Sequence, residues 1–476
     1  MRITRHYCSS LKPCLVPPDP RLMQRLLSRF NELVKQKRLP ADSKFKDFLA
    51  QWLSTRRGRV VPGIDDGLVA EVHDRSFGDM EKISQPTHKL AGPIRTMVLL
   101  VDFDDEPHLT ENTAGIFEEM LFGSLPSGSM AEYYKEVSNG KVQIEGEVHG
   151  WFRMPNPLSF YTNGGSGTLT TFPRNAAGLA RDAVRAAKLE NVSFKNYDVF
   201  GEKIVTALFI IHSGRGAEQT GSPHDIWSHK WQIPGGELVS ESPKIFAQTY
   251  LTVPEDCLVG VCAHEWGHLA ARWADYYDTG ETGKSNGLGM YCLMASGSWG
   301  EGGKSPTYPN GMLRSFHDWI DIAAIDQNAV VDLKPASEGG GVVVIRNNAT
   351  MSNTQYVICE FRKRTNMDRA LPDEGLAVYV VDESIENVND ENSLAIELVQ
   401  ADGNRDLAKS GHFGNTGDEH DLFPYKKANG QSKRILGKTT SPRIELPGGK
   451  WSGITLSVAG EPSDDQLTLR IELDDS

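Results

Sequence analysis

Apolar and polar positions alternate along the chain with different periods, and the changes of period divide the sequence into three regions. In the first region, apolar residues from Leu22 to Val34 recur every three or four positions, which predicts a helix. A second helix is predicted around residues 45–53, and a polar stretch rich in Pro and Gly follows to about residue 90. We therefore expect residues 1–88 to form a small helical segment that ends in a linker.

The second region, residues 89–335, predicts a sheet with helices packed against it. Met97–Phe103 is a near-continuous apolar run of strand length, which is typical of a strand buried on both faces. The same criteria predict further strands at 141–148 and 204–211 and helices at 129–137 and 175–188. This order of elements favours one domain with a mixed sheet.

The third region, residues 336–476, is rich in short runs of β-branched residues separated by Gly, Pro, Asn and Asp. These runs predict strands at 341–345, 355–361, 376–381, 394–400 and 466–473. Such a composition favours a β-sandwich-like C-terminal domain. The predicted fold class of the whole chain is therefore α+β.

Composition and charge narrow the classes of protein to which the chain can belong. With 39% hydrophobic and 24% charged residues, the composition is that of an ordinary globular protein. A net charge of −13 argues against a nucleic-acid partner, which would call for a basic surface. No run of about 18 apolar residues occurs, so we expect no membrane-spanning segment and no membrane partner.

The N-terminus and the cysteines bear on the cellular compartment of the protein. Residues 1–8 lack the apolar core of a signal peptide, so either the protein is intracellular or a leader is missing from this sequence. Six cysteines in a chain of 476 residues do not make a disulfide scaffold. Cys257 and Cys262 are interpreted as packed thiols rather than metal ligands.

The strongest chemical signal is the pentapeptide His264-Glu265-Trp266-Gly267-His268. On a helix, residues four apart lie on one face, so His264 and His268 can bind one metal ion from the same side. Glu265 can reach a water beside that metal and act as a general base. Two imidazoles, an open position for water and a carboxylate base are the arrangement of zinc peptidases.

Two acidic residues and a methionine follow within reach of this helix. Asp275 and Asp278 are both candidates for the third ligand, and the residues alone do not choose between them. Met294 lies in the segment Leu293–Trp299, whose composition predicts a tight turn. A methionine there would provide a polarizable apolar floor beneath the ligands.

The segments His264–Asp278 and Leu293–Trp299 resemble the immune inhibitor A family of M6-type zinc metallopeptidases, in the metzincin clan. In that family a short loop follows the second His. An acidic ligand in a Pro-Asp-x-Tyr-Asp-like segment comes next, and then a Met-turn reading Leu-Met-x-x-Gly-Ser-Trp. The resemblance covers most of residues 90–425 and implies that Asp275 is the third ligand and that Met294 lies beneath the metal. It also implies a metzincin-like catalytic domain in a family that is usually secreted.

The chain departs from the metzincin pattern just after His268. Ala271 stands where the pattern has Gly, and the acidic residue comes eleven rather than ten positions after His264. A sharp turn there normally requires the positive φ that Gly adopts freely. Either Ala271 or Arg272 takes this conformation at some cost, or the helix runs one residue further before it turns.

The pattern and the resemblance together predict a zinc-dependent endopeptidase that hydrolyses protein or peptide substrates, with Glu265 as general base. An inactive, zinc-stabilised binding module is one alternative, and a zinc amide hydrolase that acts on small molecules is another. Residues 1–88 are interpreted either as a pro-segment that covers the cleft or as an accessory helical lobe. A thiolate of Cys8 or Cys14 on the zinc is one way in which such a segment could block the site.

Other polar groups are interpreted as structural. His212, Glu218 and His229 could line the cleft or hold an ion, but hydrogen-bonded scaffold is the favoured interpretation. Oxygen-rich loops near the C-terminus raise the alternative of structural Ca²⁺, although no defined calcium-loop spacing occurs and solvated turns are favoured. The loop residues are Asp382, Asn387, Asn389, Asp390, Asp402, Asp418 and Asp421.

Overall fold

The computed structural model describes residues 14–45, 47–49, 51–52, 86, 88–277, 285–385, 394–408, 415–426 and 429–474. Most of the predicted linker, Cys8 and Asp278 lie outside these ranges, and so do Asn387, Asn389 and Asp390. The helices are α1 (Pro20–Lys35), α2 (Ala114–Phe122), α3 (Met130–Val137), α4 (Leu158–Thr162), α5 (Ala176–Leu189), α6 (Ala217–Thr220), α7 (Val259–Trp266) and α8 (Gly311–Phe316). Short 3₁₀ segments occur at Gly289–Tyr291, Ser296–Gly303, Ala336–Glu338 and Asn366–Ala370.

A mixed six-stranded sheet forms the framework of the first part of the structure. Its strands are β1 (Cys14–Leu15), β2 (Gly92–Asp102), β3 (Val142–Arg153), β4 (Ala207–His212), β5 (His229–Glu241) and β6 (Lys244–Pro254). They are arranged in the order β1-β5-β6-β4-β2-β3. β3, β2, β4 and β6 run parallel to one another, whereas β5 is antiparallel to β6 and β1 is antiparallel to β5. The strands and helices predicted between residues 97 and 211 are confirmed, with boundaries that shift by a few residues.

Both faces of this sheet are covered, which explains why its central strands read as unbroken apolar runs. Successive residues of β2 point to opposite sides, so Met97 and Leu99 join one apolar core while Val98 and Leu100 join the other. Helix α5 covers the first side through its alanine-rich face. Helices α2, α3 and α7 cover the second, which places α7 in the interior of the protein.

The second part of the structure consists mainly of two further sheets. Its strands are β7 (Ile322–Ile325), β8 (Ala329–Leu333), β9 (Val342–Ile345), β10 (Gln355–Arg362), β11 (Gly375–Asp382), β12 (Ile396–Leu398), β13 (Tyr425–Lys426), β14 (Ser432–Lys433), β15 (Ile435–Leu436), β16 (Glu445–Leu446), β17 (Lys450–Trp451), β18 (Ile454–Ala459) and β19 (Leu467–Leu473). A five-stranded sheet has the order β12-β11-β10-β9-β7, and a four-stranded sheet has the order β15-β18-β19-β8. The five strands predicted from the β-branched runs are therefore confirmed.

The five-stranded sheet lies between two apolar cores. On β10, Val357 and Cys359 face the four-stranded sheet, whereas Tyr356 and Ile358 face the core that also contains α7. The two sheets thus pack face to face, and the inner one also packs against the layer that carries the His264 helix. This contact connects the C-terminal strands to the candidate site.

The N-terminal helix α1 begins with favourable local chemistry. The side chain of Asp19 caps it by accepting a hydrogen bond from the Arg21 amide at 2.7 Å, and Pro20 occupies the first turn. Its buried residues, which include Leu22 and Phe30, pack with Phe45 and Leu49 in a small separate core. None of the described helices is long and apolar enough to cross a membrane.

Candidate metal centre

The site is built on α7 and on a wider helical turn that continues it. Every residue of α7 is buried, and residues Gly267–Ala271 follow as a π-helical turn. A π-turn accommodates one residue more than an α-turn, since its hydrogen bonds span five residues. The extra residue between His264 and the acidic segment is absorbed here.

Arg272 then reverses the chain in the left-handed conformation, with φ 60° and ψ 42°. For a residue other than Gly this conformation costs about 1–2 kcal/mol. The guanidinium forms an ion pair with Glu202 and lies 5.5 Å from the centre of the Phe200 ring. Both expectations from the sequence therefore apply together: the helix runs further, and Arg272 takes the positive φ in place of Gly.

This turn brings three predicted ligands together in the buried interior. The Nε2 atoms of His264 and His268 are 3.1 Å apart. Oδ1 of Asp275 lies 3.2 Å from each of them. The structure thus places Asp275 at the cluster, whereas Asp278 is outside the described residues.

Backbone carbonyls fix the orientation of both imidazoles. His264 Nδ1 is 2.9 Å from the Leu293 carbonyl oxygen, and His268 Nδ1 is 2.7 Å from that of Trp273. Because a carbonyl only accepts, each Nδ1 carries the proton and donates it. Each Nε2 therefore presents a lone pair toward Asp275, which is the tautomer that binds a metal.

Burial and charge favour the protonation states that a metal requires. Burial lowers the pKa of His264, so this imidazole is neutral near pH 7. Burial raises the pKa of Asp275, whereas protonated imidazoles of His268 and His264 would lower it to about 2, and a bound cation would take over that role when both imidazoles are neutral. A neutral imidazole and an ionised carboxylate are the forms that bind a metal cation.

Met294 packs directly beneath the helix that carries the histidines. A Cβ added at Gly267 would lie 2.9 Å from Met294 Sδ, so any larger residue there would require Met294 to shift. The Met294 carbonyl accepts a hydrogen bond from the Tyr276 amide at 2.7 Å, next to Asp275. Met294 and its neighbour Leu293 thus contact the segments that carry two of the three ligands.

Glu265 and Cys14 complete the immediate surroundings. Glu265 is fully buried on α7, one residue after His264. Cys14, His268 and Asp275 can each place one ligand atom within 4.8 Å of the others.

The other polar residues considered from the sequence form hydrogen bonds within the protein. Glu218 accepts from the Ser228 amide and hydroxyl at 3.0 and 2.7 Å, and His229 contacts the Trp227 carbonyl at 2.6 Å. His212 Nδ1 lies 2.8 Å from the Ser213 carbonyl. These contacts support the interpretation of the three residues as scaffold.

Comparison with known proteins agrees with the geometry. Residues 94–323 match the family described as the immune inhibitor A peptidase M6, catalytic domain. Immune inhibitor A from Bacillus thuringiensis subsp. alesti is 28% identical over 285 residues, which cover 49% of this chain and 41% of that protein. Residues 94–323 are therefore similar to an M6 peptidase catalytic domain.

A second relative supports the same family. The pre-pro-metalloprotease PrtV of Vibrio cholerae serotype O1 (strain M66-2) is 29% identical over 272 residues, covering 47% of this chain and 29% of the relative. The chain thus matches less than half the length of either relative. The M6 domain includes α7, the π-turn and Met294, whereas Cys14 lies outside the matched segment.

Several groups at the M6 site were not identified from the sequence. The carbonyls of Trp273 and Leu293 orient the histidines. Because every residue has a backbone carbonyl, the amino-acid sequence does not indicate which carbonyls serve this purpose. The π-turn left one signal, which is the spacing of eleven residues between His264 and Asp275. Gly267 within the pentapeptide was a second signal, since Gly inside a helix often indicates close packing.

Proposed function

We propose that this chain is a zinc-dependent endopeptidase. His264, His268 and Asp275 would hold the zinc, and Glu265 would act as general base on protein or peptide substrates. The observation that carries the proposal is the convergence of two Nε2 atoms and one carboxylate oxygen at 3.1–3.2 Å from one another.

The donor set and its spacing support zinc in particular. Zinc prefers nitrogen and carboxylate ligands at about 2.0–2.1 Å in tetrahedral geometry, which places ligand atoms about 3.3 Å apart. Three acceptors so close together are unfavourable unless a cation lies among them. The membership of the M6 family independently supports a metallopeptidase.

Each side chain has a separate role in the proposed reaction. Zinc, when bound, supplies Lewis-acid polarisation of the scissile carbonyl and lowers the pKa of water to about 7. Glu265 takes the proton of the attacking water and later passes it to the leaving amine. Because Glu265 is buried on α7 directly after His264, the helix fixes its position relative to that histidine.

We propose in addition that the domain is metzincin-like and that the predicted domain boundaries at 88/89 and 335/336 hold. The π-turn, the acidic residue at position 275 and the methionine packed beneath the helix support this assignment. The two facing sheets after residue 336 support a β-sandwich-like C-terminal domain, although they begin with strands β7 and β8 before that boundary.

The proposal is tested by zinc content and casein hydrolysis, measured with and without a chelator. The assay includes a Cys14→Ser chain, because a thiol beside the ligands would occupy the position that water needs. We expect one zinc per chain and chelator-sensitive cleavage. Glu265→Gln should retain the zinc but lower hydrolysis about 100-fold or more, since general-base catalysis contributes at least that much.

Glu472→Gln, an exposed carboxylate on β19, is the matched control and should hydrolyse casein at the normal rate. Full activity in Glu265→Gln would contradict the role of Glu265. One zinc without cleavage of casein in any chain would favour the inactive binding module. Cleavage of a small amide but not of casein would favour the amide hydrolase.

A further inference from the structure

The described N-terminal segment, residues 14–19, lies against the edge of the six-stranded sheet beside the metal centre. Cys14 pairs with Lys230 and Leu15 with His229 in antiparallel register, which makes β1 an added edge strand on β5. The Val16 amide continues the pairing by donating to the Ser228 carbonyl at 3.1 Å. An extended peptide added to a sheet edge is one of the common modes of peptide recognition.

Large side chains hold this segment through its carbonyl groups. Trp227 Nε1 donates to the Val16 carbonyl at 2.9 Å, and Trp299 Nε1 donates to that of Pro17 at 2.8 Å. The Tyr277 hydroxyl donates to the Leu15 carbonyl. Trp299 and Tyr277 flank the metal centre in sequence, one at the end of the Met-turn and the other two residues after Asp275. The segment is therefore fastened by the same loops that build the site.

The apolar residues of the segment are buried. Leu15 and Val16 are 6% and 0% exposed and belong to the core that contains α7. Asp19 donates its amide to the Glu218 carbonyl at 2.9 Å before α1 begins. A segment packed in this way fills the edge of β5, which a substrate strand would otherwise use.

Cys14 stands at the end of this segment that reaches the ligands. One ligand atom each from Cys14, His268 and Asp275 lie within 4.8 Å of one another. His264 Nε2 completes the cluster at 3.1 Å from His268 Nε2. Two imidazoles, a carboxylate and a thiol would make a closed set of four ligands if all of them bound one ion, whereas a catalytic zinc keeps one position open.

We propose that Cys14 is the fourth ligand of the zinc and that residues 14–19 form an autoinhibitory segment in the substrate cleft. The inference rests on the proposed function, because it requires zinc at this site. On binding, the Cys14 thiol would release its proton to solvent, and the thiolate would take the position that the attacking water needs. When the segment is displaced, the thiolate regains a proton and water enters, which switches hydrolysis on.

The other described cysteines are placed differently. Cys257 and Cys262 are buried with their sulfurs 3.6 Å apart, and Cys359 lies in the core between the two C-terminal sheets. Burial raises the pKa of Cys292 to about 11, which keeps this thiol protonated. Cys14 is the partly exposed thiol among the described residues.

X-ray absorption at the zinc edge tests the ligation directly. The full-length Glu265→Gln chain is used, so that self-cleavage cannot remove the segment. We expect one sulfur neighbour at about 2.3 Å from zinc. The Cys14→Ser substitution in the same chain should remove it, and Cys359→Ala should not. Zinc without a sulfur neighbour would overturn the inference and leave the proposed function standing, whereas absence of zinc would overturn both.

Thiol reactivity and activity provide independent tests. Alkylation of Cys14, located by peptide mapping, should be slow with zinc bound and about tenfold or more faster after chelation. In the active protein, Cys14→Ser should raise the initial rate of casein hydrolysis about tenfold or more, because it releases a tethered ligand of high effective concentration. Equal rates in wild type and Cys14→Ser would contradict autoinhibition, and equal alkylation with and without zinc would contradict ligation.

Discussion

Two clusters of buried titratable residues lie on either side of the Met-turn, and they are built on opposite principles. In the metal cluster, His264, His268 and Asp275 turn lone pairs toward one another at 3.1–3.2 Å. In the ion-pair cluster, Arg362 binds both oxygens of Asp368 at 2.7 Å and one oxygen of Glu360 at 3.0 Å. A cation would stabilise the first cluster, whereas the second already contains the guanidinium group of Arg362.

The difference shows that burial of ionisable groups does not by itself identify a functional site. The ion-pair cluster comprises Arg314, Arg362, Glu360 and Asp368, whose formal charges cancel, and all four side chains are fully buried. This cluster also contacts the backbone next to the metal centre. Arg362 donates a hydrogen bond to the Tyr291 carbonyl at 3.0 Å, just before the Met-turn. What distinguishes the metal cluster is that the Nε2 atoms of His264 and His268 converge on a carboxylate oxygen of Asp275, while each Nδ1 is held by a backbone carbonyl.

The largest predicted effect is a loss of zinc affinity when one ligand of the metal cluster is replaced by a hydrogen-bond donor. In Asp275→Asn the amide can donate to an imidazole nitrogen, so the cluster no longer requires a cation. We expect zinc affinity to fall by more than about 100-fold, because changes to groups behind the ligands already cost about 10–100-fold. Hydrolysis should be lost at the same time. Competition with a chromogenic chelator measures the affinity.

The same variant should not destabilise the protein once the metal has been removed. The thermal midpoint of Asp275→Asn in excess chelator should equal or exceed that of the wild type, because repulsion between acceptors is relieved. A large drop in that midpoint would mean that Asp275 serves mainly to support the fold.

The ion-pair cluster should respond in the opposite way. Asp368→Asn leaves the cluster with two arginines against Glu360 alone, and this uncompensated buried charge should lower the free energy of unfolding by about 3–5 kcal/mol. Zinc stoichiometry in the folded protein should not change, since no ligand is altered. Urea unfolding with parallel metal analysis checks both parts, and the exposed pair of Arg470 and Glu472 provides the control through Glu472→Gln. Unchanged stability would remove the contrast between the clusters.

The sequence predicted the elements that carry the metal cluster because its signals are local. His264 and His268 are four residues apart on one helix, and the unbroken apolar run of β2 indicates a strand buried on both faces. These patterns depend only on helix and strand geometry. The segment after His268 resembled the metzincin pattern closely enough to indicate Asp275 before any geometry was known.

The ion-pair cluster could not be predicted, because its members come from separate elements. Glu360 and Arg362 lie on β10, Asp368 on a 3₁₀ turn and Arg314 on α8, and only the packing of the five-stranded sheet brings them together. The position of Cys14 could not be predicted either, for the same reason. Its thiol was one of two candidates in the sequence, and its approach to the ligands depends on a pairing with β5 more than 200 residues away.

The smallest predicted effect concerns the backbone, on which the metal cluster depends more than the ion-pair cluster does. Arg272 occupies φ 60° where Gly is the residue without strain. Arg272→Gly and Arg272→Ala both lose the ion pair with Glu202. The difference between their free energies of unfolding therefore measures the cost of placing a residue with a Cβ at this positive φ. We expect the Gly variant to be more stable than the Ala variant by about 1 kcal/mol, the reverse of their usual order in helices. Both variants should bind one zinc. If Ala proves as stable as Gly in urea unfolding, the π-turn and the left-handed residue that ends it do not set the position of Asp275 as described.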